Sequence, residues 1–221
     1  MGYGIDLGSI TLEKYRDMLK AKDLLPSRRM LRDNIDGVFE LLGNAGFISA
    51  KELYKRLGSV KMLESVSKST GVSEEYLTLL KRELGSLVPK VVSLSQFPEL
   101  SPELVSRLAD AGINNSKHVH AATGGFTDPY KLCETAGISQ DESTEICALC
   151  DFVRVNGIAA LFARILYDTG YRAISDIAGE DAQHFISAVN PELAEKYDVN
   201  PLGLKDAQYC IDYALLLINH S

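Results

Sequence analysis

Glycines recurring at a fixed spacing constrain this chain more than any other feature. Gly46, Gly112 and Gly170 each close an apolar run and precede a hydrophobic residue: Phe47, Ile113 and Tyr171. They are 66 and then 58 residues apart, while Gly71, Gly137 and Gly203 are spaced by 66 and 66. A glycine just past a helical run, followed by an apolar residue that folds back on it, marks a helix stop with left-handed backbone. Agreement at both marks predicts three repeated helical units, the third with eight extra residues between its glycines.

Capping chemistry supports the same division. Ser49 with Glu52, and Ser139 with Glu142, have capping-box spacing. Ser73 precedes Glu74 and Glu75, acids that a first helical turn favours, and Ser101 precedes Pro102. Between these marks the apolar residues run at helical spacing: Ile35, Val38, Phe39, Leu42; then Ile158, Leu161, Phe162, Ile165, Leu166; then Ala207, Cys210, Ile211, Ala214, Leu215, Ile218. No stretch alternates with period two for long. An all-α fold is therefore expected. Lys90 to Pro98 has no helical pattern, which places a boundary there. Residues 1–93 would hold a leading helix, stopped by Pro26, and the first unit. Residues 94–221 would hold the second and third units.

With 46% hydrophobic and 24% charged residues the chain is globular, neither disordered nor collagen-like. No apolar run approaches the ~18 residues of a membrane span. No basic-then-apolar leader is visible, and four cysteines without one suggest reduced thiols and a cytoplasmic setting. The net charge of -7 is uneven: residues 1–95 carry 15 Lys/Arg against 12 Asp/Glu, residues 96–221 only 8 against 18. The acidic half repels a polyanion at long range, so nucleic-acid contact there must be local.

The stretch 152–166 is the most specific. Gly157, Ile158 and Ala163 match the helix–hairpin–helix pattern of hydrophobic-x-Gly-hydrophobic-Gly-x-x-x-Ala, with Ala159 in place of the second glycine. Together with Leu24 to Arg29, Gly71 to Leu77 and Gly203 to Asp206, it makes residues 10–218 resemble a prokaryotic family of tandem helix–hairpin–helix-like repeats. That family is a domain of unknown function often labelled DNA-binding. The resemblance implies a SAM-like helical architecture and backbone amides at the Gly157 turn that hold phosphate. Arg154 and Arg164 would neutralise neighbouring phosphates, although Asp151 and Asp168 lie close in sequence. The equivalent turns, Glu99 to Ser101 and Asp33 to Ile35, carry carboxylates that oppose a phosphate. Arg28, Arg29 and Arg32 form a second basic candidate. The plainer readings are a tight packing turn at Gly157 and a solvated charged face around Arg28.

Other chemistry finds little footing. Cys147 and Cys150 form a single pair, whereas a structural zinc site usually needs two, so core packing is expected and no metal or cofactor is assigned. His118 and His120 lack the i, i+4 spacing of a helical metal pair. No catalytic residue is assigned. The expected function is non-catalytic, sequence-independent DNA binding through the Gly157 turn and the Arg28 segment; the alternative is a protein-interaction scaffold with an acidic carboxy-terminal face.

Overall fold

The computed structural model describes residues 2–221 and is all-helical, with no strand among the described residues. None of its helices is long and apolar enough to cross a membrane. The chain forms two compact units. One holds residues 6–88 with His220; the other holds residues 2–5, 89–219 and 221. The division thus falls five residues before 93/94, and the amino-terminal arm groups with the carboxy-terminal unit.

The first unit comprises α1 (Leu12–Ala21), a 3-10 turn (Pro26–Arg32), α2 (Ile35–Asn44), α3 (Ala50–Arg56), α4 (Val60–Thr70) and α5 (Glu74–Gly85). Serine caps start three of these helices: Ser49, Ser59 and Ser73 accept from the amides of Glu52, Met62 and Tyr76. Its core holds Leu19, Leu31, Leu42, Leu53, Leu57, Leu77 and Leu80, each at most 1% exposed. Each contributes about 1.5–3 kcal/mol by burial.

The second unit contains a 3-10 turn (Leu94–Gln96), α6 (Pro102–Asp110), α7 (Ser116–Ala122), α8 (Tyr130–Ala136), α9 (Gln140–Phe152), α10 (Ala160–Asp168), α11 (Ile174–Ala178), α12 (Ala182–Glu195) and α13 (Leu204–His220). Ser139 and Glu142 close the expected capping box on α9. Helices α7, α8 and α10 pack around α9, which is buried on every side from Ile146 to Phe152. An all-round buried helix shows no clean stripe, and Cys147 and Cys150 both lie in the core, as expected.

The helix stops share one backbone solution. Gly46, Gly112 and Gly170 have φ of 87°, 79° and 100°. The amides of Phe47, Ile113 and Tyr171 reach back to the carbonyls of Leu42, Leu108 and Leu166 at 3.2, 2.8 and 3.0 Å. The turns before α2, α6 and α10 also share a left-handed residue: Asn34, Glu99 and Gly157. Gly203 departs from its counterparts. Gly71 and Gly137 are left-handed helix ends, but Gly203, at φ -82°, begins α13. Between Gly170 and Gly203 lie α11, the 14-residue α12 and the connection that leads to α13.

Candidate functional site

Helices α9 and α10 are joined by a short connection, residues 153–159. After α9 the chain tightens, with Arg154 N–H donating to the Asp151 carbonyl at 3.1 Å and Ile158 N–H to Val155 at 3.0 Å. Gly157 then takes φ 107°, which L side chains rarely adopt. Space is not the constraint, because a Cβ there meets the Tyr209 ring at an ordinary 3.6 Å. Ala159 starts α10 and offers no side-chain cap, so no side chain accepts from the first-turn amides. Gly157 and Ala159 are exposed. Beside them lies a cleft of about 310 Å³ walled by Val91, Val153, Val155 and Ile158, with Lys90 and Asn156 among its polar groups.

The arginines expected to serve this turn do not face it. Arg154 is 2% exposed and pairs with Asp151 at 2.6 Å. Asp151 also accepts from the Ile174 amide at 2.9 Å. Arg164 is 3% exposed, pairs with Glu145 and Asp168, and donates to the Pro98 carbonyl at 3.2 Å. Neither guanidinium reaches solvent, so their expected role in neutralising phosphate is corrected to an internal one. A buried cation needs a local counter-ion, and Asp151 and Asp168 supply it.

The Arg28 segment folds into the 3-10 turn before α2. Arg28 pairs with Glu83, whose side chain is only 3% exposed, and Lys22 joins them at 2.7 Å. Burial pushes the Glu83 carboxyl up, but Lys22 and Arg28 outweigh it and hold it below its ordinary value. Arg32 donates to the Lys22 carbonyl, while Arg29 is exposed. Arg28 and Arg32 therefore fasten the turn, and Arg29 and Arg32 are both exposed on it.

The remaining candidates separate. Cys147 and Cys150 are buried; burial pushes the Cys147 thiol up to about 12 and Cys150 well above its usual range. No group of three or more metal-ligating side chains exists among the described residues. His120 is buried between the rings of Tyr3 and Phe126. Burial, with Arg154 nearby, lowers its pKa, so it is neutral at pH 7. Sequence reasoning missed two features. Glu83 shares a helix face with Tyr76 and Leu80, a signal of a buried acid. The docking of Tyr3 has no local signal at all. No family model, curated protein or solved structure matches the chain.

Proposed function

We propose that the chain is a non-catalytic helical interaction module whose acidic carboxy-terminal unit takes a basic protein partner. The observation that carries this reading is the fate of the positive charge. Residues 89–219 hold 9 Lys/Arg against 18 Asp/Glu, and every arginine among them is spent internally. Arg107 pairs with Glu142 at 2.6 Å, Arg154 and Arg164 pair as described, and Arg172 donates to the carbonyls of Tyr167 and Tyr171 at 2.7 Å. Glu103, Asp110, Glu134 and Asp141 are exposed, on helices that pack α6 against α8 and α8 against α9. Such a unit steers cations toward itself and repels polyanions.

A second reading is sequence-independent contact with a nucleic-acid backbone. It is favoured by the exposed Gly157 tip opening the uncapped α10, and by the resemblance to helix–hairpin–helix repeats. One set of titrations separates the two, using duplex DNA, single-stranded DNA and an arginine-rich peptide at two salt concentrations. The first reading expects salt-sensitive peptide binding, several-fold weaker when Glu103, Asp110, Glu134 and Asp141 are made amides, and no DNA binding near ~100 μM. The second expects DNA binding that Gly157→Glu weakens, with Arg29→Ala lowering the salt slope by about one unit. Binding to none of the three ligands would defeat both.

A further inference from the structure

The non-helical arm, residues 2–5, is docked within the second unit by three side chains. Arg154 donates from Nε to the Tyr3 carbonyl at 2.8 Å and from one Nη to the Gly2 carbonyl at 3.4 Å, while Asp151 holds the other Nη. Helix α7 presents the other two, Ser116 and His120, one turn apart on its buried face. Ser116 Oγ lies 2.6 Å from the Tyr3 hydroxyl, which donates to the Lys90 carbonyl at 3.0 Å. The His120 ring meets the Tyr3 ring at its edge, with centroids 5.5 Å apart and planes 87° apart. The arm's one aromatic side chain thus rests on a histidine.

That histidine has no room for a second proton. It is 8% exposed, and among the described residues its Nε2 has no hydrogen-bond partner. On its far side lies the Phe126 ring, centroids 5.1 Å apart, and the Arg154 guanidinium stands 5.6 Å from the centre of that same ring. Asp151, the carboxylate beside Arg154, is already taken: it accepts from Arg154 at 2.6 Å and from the Ile174 amide at 2.9 Å. On α7 itself, Lys117 and His118 are exposed. A proton on His120 therefore adds an unsatisfied N–H and a second buried cation beside Arg154. Burial is the main reason that its pKa lies below the ordinary 6.5; Arg154 and the chain's amino group add to it, and the Gly2 carbonyl opposes them. The simplest relief is to break the contact with Tyr3. Helix α7 is packed against α8 and α9, whereas the arm has no helix of its own to hold it.

We propose that the arm is an acid-released latch, docked while His120 is neutral and let go when His120 takes a proton. This device goes beyond the acidic-surface reading and does not depend on it. With the arm free, His120 titrates at its ordinary 6.5; with the arm docked, it titrates lower. Docking is therefore at full strength above pH 6.5. From there down to the docked value, each pH unit weakens it by about tenfold. Release thus precedes the protonation of Glu83 and Glu142, whose ordinary value is 4.5.

The test uses the full chain and follows the Tyr3 ring resonances and the His120 C2 proton together, from about pH 8 to about pH 5. In the parent, the Tyr3 resonances should move to the positions of the free peptide acetyl-Gly-Tyr-Gly-Ile-amide, in step with the His120 titration. His120→Gln, neutral throughout, should keep Tyr3 docked over the whole range. Reciprocity supplies a measurement that does not need this variant to fold. Tyr3→Ala lifts the ring off His120, so the midpoint of its titration should rise toward 6.5 by at least about half a pH unit. Three results each overturn the proposal. They are Tyr3 resonances that stay in place down to the lowest pH in the parent, release that persists in His120→Gln, and a His120 midpoint that is the same in Tyr3→Ala as in the parent.

Discussion

At the scale of single residues, the helix-stop glycines carry a cost that is purely conformational. A Cβ added at Gly112 meets nothing within 4 Å, yet φ is 79°. Replacing Gly112 by Val should therefore destabilise by at least ~1 kcal/mol without any clash, because a β-branched side chain resists left-handed backbone. Urea unfolding checks this, with Gly203→Ala as the control. Gly203 sits at φ -82°, so its alanine variant should change stability by less than about 0.5 kcal/mol. The left-handed stops at Gly46, Gly112 and Gly170 were legible in the sequence because the amide–carbonyl bonds that demand them span five residues. The fate of Arg154 was not. Its counter-ion is three residues away, but the carbonyl that its Nε reaches belongs to the arm, some 150 residues distant in the chain.

At the scale of elements, helix starts were legible where a side-chain acceptor marks them. Ser49, Ser73, Ser101 and Ser139 all accept from a first-turn amide, but of the two expected capping boxes only that of Ser139 closes, because Glu52 accepts from the Ile48 amide. The start of α10 has no such mark, since Ala159 has the extended backbone of a cap (φ -89°, ψ 173°) without an acceptor, as Ala173 and Gly203 do before α11 and α13. Ala159→Ser should then stabilise the second unit by about 1 kcal/mol, seen as a higher urea midpoint at unchanged slope. The same substitution bears on function. A hydroxyl accepting from the first-turn amides competes with a phosphate for them, so any DNA affinity carried by the hairpin should fall as stability rises. The entry turns tell a related story. Asn34 and Glu99 adopt left-handed backbone as Gly157 does, but a non-glycine residue gives no such warning in sequence.

At the scale of the whole molecule, the charge division seen in composition became informative only once the internal ion pairs were known. Those pairs also set the response to acid. Each unit contains a glutamate whose carboxyl is held below its ordinary value. In the first unit, Lys22 and Arg28 hold Glu83 down against burial. In the second, the Ser139 amide and Arg107 hold Glu142 down. A lowered folded pKa means that the unfolded chain binds the proton more readily. The stability it contributes is complete above the ordinary value of 4.5 and is lost as pH falls through the lower folded value. Both units should therefore hold their urea midpoints between pH 6 and 8 and lose stability together below about pH 4.5. Glu83→Gln separates them. Removing the anion that Lys22 and Arg28 share should cost about 1–3 kcal/mol at pH 7, since the amide still accepts a hydrogen bond but no longer offers charge to either cation. The loss should shrink on acidification, because the parent then protonates Glu83 and converges on the variant. Hydrogen exchange should show this loss in the amides of α5 at pH 7. The amides of α9 should keep the parent's protection, since they rely on Glu142 and its own arginine. Equal loss in α5 and α9 would mean that the two units unfold as one.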